Sequence, residues 1–106
     1  METVILPQEV KRKLDAKDDS IVLLDVRTKE ERDTAKIEPS LFIPMTELLK
    51  RLSELPKDKT IVVYCHVGGR SGFAANILRT KGYNALNLAG GINAWSKTVD
   101  AKVPTY

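Results

Sequence analysis

The chain is 106 residues long, 42% apolar and 29% charged, the proportions of one soluble globular domain spanning residues 1–106 around one core. Seventeen Lys and Arg against 14 Asp and Glu give a net charge of +3, with the signs interleaved and no basic run laced with aromatics, so nucleic acid is not an expected partner. Cys65 is the single cysteine, which excludes an internal disulfide, a Cys-x-x-Cys redox pair and metal sites built on several thiols.

The opening residues, METVILPQEV, carry no basic leader followed by a long apolar region. Apolar runs such as Ile21 to Leu24 are strand-sized, so no membrane segment is expected, and the free thiol suits a cytoplasmic, reducing setting. Short β-branched runs alternate with helical patterns from end to end, which predicts an α/β fold with a largely parallel sheet. The first strand is expected over Thr3 to Leu6, and Pro7 suits the first turn of a helix running toward Leu14. Ile21 to Leu24 shows no alternation, as expected for a strand covered on both faces, and it ends in the polar set Asp25-Val26-Arg27.

Thr28 and Glu31 form a capping box for a short helix from Lys29 to about Asp33. Leu41-Phe42-Ile43 reads as a brief third strand closed by Pro44. Thr46 is the expected cap of the next helix, whose Leu48, Leu49, Leu52 and Leu55 fall on one core-facing stripe. Thr60 to Tyr64 is the clearest strand, with Cys65 at its carboxyl end. A helix then starts near Arg70 or Ser71, turns Phe73, Ala74, Ile77 and Leu78 to one side, and stops at Gly82. Asn84 to Leu88 reads as a fifth strand, Gly90-Gly91 as a turn, and Ile92 to about Lys97 as a last helix anchored by Trp95.

In open α/β sheets, ligands bind beyond the carboxyl ends of the strands. Cys65-His66-Val67-Gly68-Gly69-Arg70-Ser71 occupies that position, between the clearest strand and a helix. Two glycines let the backbone amides of His66 through Arg70 curl toward one small site that the helix N-terminus also faces. A free thiol is only about 3% ionised at pH 7, and lowering its pKa by two units makes it roughly three-quarters thiolate. That shift needs about 2.7 kcal/mol of preferential anion stabilisation, within reach of several amides, a helix N-terminus and Arg70 together. The bland alternative makes Cys65 a small hydrophobe at a strand end. Glycines, arginine and helix following the thiol directly favour the reactive role.

The chain resembles the single-domain rhodanese family. The resemblance rests on Asp25-Val26-Arg27, Ile43-Pro44 before Thr46-Glu47-Leu48, Val63-Tyr64-Cys65, the loop through Gly68, Arg70 and Ser71, and Leu88-Ala89-Gly90-Gly91-Ile92-Asn93-Ala94-Trp95. It implies a mostly parallel five-stranded sheet with helices on both faces. It also implies sulfurtransferase chemistry in which Cys65 cycles between thiolate and persulfide, taking sulfane sulfur from thiosulfate or a persulfide donor and passing it to cyanide, a thiol or a protein acceptor. Where the family usually reads Gly-His-Ile-x-Gly-Ala, this chain has Ala35-Lys36-Ile37-Glu38-Pro39-Ser40, so a different local backbone path is expected.

On this reading Cys65 is the nucleophile, and His66, Val67, Gly68, Gly69 and Arg70 form the substrate-binding loop, with Ser71, Asp25 and Arg27 in support. Arg70 either binds an anionic donor or ties the loop to a nearby carboxylate. His66 lines the pocket mouth or merely its rim, and Asp25 and Arg27 either contact substrate or serve structure. No metal or cofactor is called for, and a monomer is expected. Two other functions stay open. One is a sulfur-relay or protein-binding module with little small-molecule turnover. The other is a cysteine phosphatase or arsenate reductase, which uses Cys-x5-Arg, whereas only four residues separate Cys65 from Arg70.

Overall fold

The computed structural model describes residues 3–106. Its five strands are β1 (Val4–Ile5), β2 (Ile21–Asp25), β3 (Leu41–Phe42), β4 (Thr60–Tyr64) and β5 (Asn84–Leu88), in one sheet of order β1-β5-β4-β2-β3. Every pairing is parallel, so the sheet is parallel throughout rather than mostly so. The helices are α1 (Pro7–Asp15), α2 (Lys29–Thr34), α3 (Gly69–Thr80) and α4 (Gly91–Thr98).

β2 and β4 bury both faces, and their residues alternate between two cores. Ile61, Val63 and Cys65 join Leu24, Leu48, Ala74, Ala75 and Leu78 on the α3 side. Val62 and Tyr64 join Ile21, Leu23, Val10, Ile92 and Trp95 on the α1 and α4 side. Central strands without polar alternation are what a sheet covered by helices on both faces requires. From β2 the chain moves outward to β3, and from β4 it moves the other way to β5. The carboxyl ends of β2 and β4, in register at Asp25 and Tyr64, therefore flank the point where the winding reverses.

Three expectations change. The segment after Pro44 is not one α-helix but two 3₁₀ turns, Met45–Lys50 and Leu52–Glu54, and the Thr46 side chain caps nothing. Leu48, Leu52 and Leu55 pack inward, Leu48 from the first turn and the other two from beyond the break at Arg51, while Leu49 is 61% exposed. On α3 the buried face is Ser71, Ala74, Ala75 and Leu78, spaced 3, 4 and 7, while Phe73 is 63% exposed. Small residues on that face bring the helix close to the sheet. The first strand is also shorter than Thr3 to Leu6.

The divergent stretch Ala35 to Ser40 is held from both ends. The Ile37 amide donates to the Tyr64 hydroxyl at 3.2 Å, and Arg32 donates to the Ser40 hydroxyl and carbonyl, each at 3.1 Å. Among the described residues no helix is long and apolar enough to cross a membrane.

Candidate active site

The β4 backbone delivers Cys65 to the sheet's carboxyl edge with only 1% of its surface exposed. The chain then reverses through Gly68, whose φ of +116° only glycine adopts without strain, and enters α3 at Gly69. As a result three donors close on Cys65 Sγ: the Gly68 amide at 3.1 Å, the Ser71 amide at 3.4 Å and the Ser71 hydroxyl at 3.2 Å. Burial pushes the Cys65 thiol up, but the Ser71 and Gly68 donors, helped by the Arg70 charge, outweigh it and hold the pKa below the ordinary thiol value. A sulfur anion is the form this ring favours.

The loop is oriented from behind by α4. The Ile92 and Asn93 amides, orphan donors of that helix's first turn, bond the Cys65 and His66 carbonyls at 2.9 and 3.0 Å. With its carbonyls turned toward α4, the loop presents amides to the opposite side. Among the described residues, the His66, Val67, Gly69 and Arg70 amides have no protein acceptor. Gly91 makes the docking possible, since a Cβ there would lie 2.5 Å from the His66 carbonyl oxygen and its φ is +61°. The Gly90-Gly91 turn therefore builds the site as well as joining β5 to α4.

The carboxyl end of β2 supplies charge. Asp25 and Arg27, both without side-chain exposure, form a two-pronged pair with Nε–Oδ1 and Nη2–Oδ2 at 2.8 Å. The Arg27 amide also donates to Oδ1, and Arg32 donates to Asp25 Oδ2, each at 3.1 Å. Burial opposes the Arg27 charge, but Asp25 and the Tyr106 hydroxyl outweigh it and hold its pKa above the ordinary arginine value. Neither residue bonds Cys65, so the pair supports the wall beside it.

At the rim, Arg70 grips Glu31 with Nη1–Oε1 at 2.6 Å and Nη2–Oε2 at 2.8 Å. That bond holds Glu31 well below the usual carboxylate range. Tyr106 links this pair to the buried one: its hydroxyl donates to Glu31 at 2.7 Å and accepts from Arg27 at 2.9 Å. Its ring stacks on His66 with centroids 4.1 Å apart. Burial and Glu31 push the Tyr106 phenol up to about 12, so it stays a donor at neutral pH. Val67 stands 60% exposed at the loop tip.

Of the expected site residues, Cys65, Gly68 and Ser71 meet at the sulfur, while His66 and Arg70 face the rim. The turn at Gly68 aims its own amide and that of Ser71 at Sγ, while among the described residues the amides of His66, Val67, Gly69 and Arg70 bond neither Sγ nor another acceptor. One expectation needs correcting. Gly69 is not needed for backbone freedom, lacking a positive φ and having open space where a Cβ would go. Sequence reasoning missed Glu31, Asn87 and Tyr106. Asn87, on β5, accepts from the Ser71 hydroxyl at 2.6 Å and donates to the Gly68 carbonyl at 3.1 Å. Glu31 was visible only as half of a capping box.

Residues 6–98 match the Rhodanese-like domain family. The chain is 41% identical over 80 residues to a sulfurtransferase of Allochromatium vinosum, covering 74% of this chain and 75% of that one. It is 37% identical over 87 residues to the putative sulfur carrier protein YrkF of Bacillus subtilis, covering 81% of this chain and 46% of that one. It is 34% identical to the probable adenylyltransferase/sulfurtransferase MoeZ of Mycobacterium tuberculosis, covering 98% of this chain but 27% of that one. The chain thus spans less than half of the length of several curated relatives. A rhodanese-like domain protein from Staphylococcus aureus superposes with a TM-score of 0.84 at 28% identity, covering 100% of this chain and 99% of that one.

Proposed function

This chain belongs to the rhodanese-like family of sulfurtransferase domains, and from that premise we propose that it moves sulfane sulfur through a persulfide on Cys65. The observation that carries this reading is the ring of donors on Cys65 Sγ, at 3.1, 3.2 and 3.4 Å. The thiolate lone pair attacks the outer sulfur of the donor and forms a new S–S bond. With thiosulfate the donor's own S–S bond breaks and sulfite leaves with its electron pair; with a persulfide donor a thiolate leaves. The negative charge moves to the outer sulfur, beside the unpartnered amides of His66, Val67, Gly69 and Arg70. An external thiol, cyanide or protein thiolate then takes that sulfur, since the chain has no second cysteine.

Arg27, Arg32 and Arg70 against Asp25 and Glu31 leave the wall and rim together one positive charge in excess, which suits an anionic donor. The Arg70 guanidinium is already engaged by Glu31 through both terminal nitrogens, so its charge is largely spent before a donor arrives. That observation favours a second version of the same chemistry, relay from a protein-bound persulfide to a protein acceptor. Two relatives carry matching names, one a sulfur carrier and one an adenylyltransferase/sulfurtransferase. The free thiol suits a reducing, cytoplasmic compartment.

Intact-mass measurement tests the proposal. Thiosulfate or a persulfide donor is expected to add one sulfur atom to the wild-type protein, dithiothreitol or cyanide to remove it, and Cys65→Ser to prevent the addition. An unchanged wild-type mass with both donors overturns it. Cys65-dependent hydrolysis of an aryl phosphate supports the phosphatase alternative instead.

A further inference from the structure

Ser71 has one hydroxyl proton and two neighbours able to receive it. Cys65 Sγ lies 3.2 Å from Ser71 Oγ, and Asn87 Oδ1 lies 2.6 Å away. A hydroxyl donates one hydrogen bond at a time, so both cannot be served together. The Asn87 amide is oriented by its other end, where Nδ2 donates to the Gly68 carbonyl at 3.1 Å and leaves Oδ1 toward Ser71. Its position is also fixed by close fit. A Cβ on Gly72 would lie 3.2 Å from Asn87 Nδ2, and one on Gly68 would lie 3.8 Å from it. The Asn87 backbone is clamped between two strands, paired with Val4 on β1 and Val63 on β4.

We infer that Asn87 is a positioning residue that holds the Ser71 hydroxyl proton away from Cys65 Sγ in the thiol and gives it up when the sulfur becomes an anion. In the thiol, the chain of bonds runs from the Cys65 S–H to Ser71 Oγ and from the Ser71 O–H to Asn87 Oδ1. On ionisation the cysteine proton leaves to solvent, and the hydroxyl turns toward the charged sulfur because a charge-assisted bond is about twice as strong as a neutral one. When Sγ spends its charge on a new S–S bond, the hydroxyl returns to Asn87. The inference rests on Cys65 acting as a thiolate nucleophile. Through this competition Asn87 keeps the thiolate less stabilised, and hence more nucleophilic, than an uncontested hydroxyl leaves it.

The test is the pH dependence of Cys65 alkylation by iodoacetamide in wild type, Asn87→Ala, Ser71→Ala and the double variant. Losing Asn87 has two effects: it frees the hydroxyl, and it loosens the Gly68 carbonyl. The Ser71→Ala background retains only the second, so the difference between backgrounds isolates the hydroxyl. The charged groups around the loop are unchanged in all four proteins: Arg70 with Glu31, Asp25 with Arg27 and Arg32, and His66 against Tyr106.

The expected result is that Asn87→Ala lowers the alkylation midpoint by about 0.5 to 1 pH unit more with Ser71 present than in the Ser71→Ala background. Equal shifts in the two backgrounds, or a difference of opposite sign, overturn the inference and reduce Asn87 to a clamp on the loop. Asn87→Leu, which keeps the branched side-chain shape and drops both polar groups, repeats the comparison if the alanine variant fails to fold. Sulfur loading plays no part in this titration. Failure of the transfer reading shows in the mass measurement alone.

Discussion

The floor and the rim of the Cys65 site are built from different materials. At the floor, backbone amides of Gly68 and Ser71 meet the sulfur, and α4 amides hold the loop carbonyls. At the rim, side chains from three distant segments, Glu31, Arg70 and Tyr106, hold one another. A backbone floor is costly to alter, because the same bonds carry fold and chemistry. A rim of partly exposed ion pairs contributes little to stability and is free to set which donor enters.

The sharpest way to break this division lies beneath both regions, at Asp25. Removing it leaves Arg27, 1% exposed, without its carboxylate. Asp25→Ala is expected to cost about 3–5 kcal/mol in urea unfolding, and a cost below about 1 kcal/mol contradicts the structural role assigned to the pair. Gly91→Ala follows. It places a Cβ 2.5 Å from the His66 carbonyl oxygen at a φ of +61°. A loss of about 2–4 kcal/mol is expected, with slower Cys65 alkylation at neutral pH as the loop shifts; a wild-type alkylation rate contradicts the part given to α4.

Glu31→Gln is the rim counterpart and is expected to cost about 1 kcal/mol or less. Glu31 titrates below its ordinary 4.5 because Arg70 holds it. A carboxyl depressed in the folded state contributes stability that is present above the unfolded value and lost as pH falls through the folded one. Wild type is therefore expected to lose stability below about pH 4.5 more steeply than Glu31→Gln, by urea midpoints across that range. Parallel curves contradict the pairing. The same variant frees Arg70, so its kcat/KM for thiosulfate is expected to rise while loading from a neutral persulfide changes little. Tyr106→Phe is expected to have the smallest effect, under about 1 kcal/mol in thermal melts, since it keeps the stack on His66 and loses only the bonds to Glu31 and Arg27.

Floor and rim also differed in how well the sequence foretold them. Cys65, Gly68 and Ser71 fall within seven residues, and their relation follows from a strand, a left-handed glycine and a helix start, each with a local signature. The sheet was legible for a similar reason, as the central strands β2 and β4 are almost continuous apolar, largely β-branched runs. Glu31 meets Arg70 across 39 positions and Tyr106 across 75, and no local pattern encodes such a meeting. Asn87 looked like any polar residue in a strand until β5 set it beside Ser71. The leucines after Pro44 misled because the α and 3₁₀ periods differ by only about 0.6 residue per turn. Phe73 misled because α3 packs through alanines, whose burial hydrophobicity alone underrates.

The central claim is that backbone amides, rather than rim side chains, hold the transferred sulfur. A crystal structure of the persulfide-loaded protein tests it most directly. The outer sulfur is predicted within hydrogen-bond distance of at least two amides among His66, Val67, Gly69 and Arg70, with the Arg70–Glu31 pair intact. An outer sulfur bound to the Arg70 guanidinium or turned to solvent, with those amides unengaged, contradicts the account.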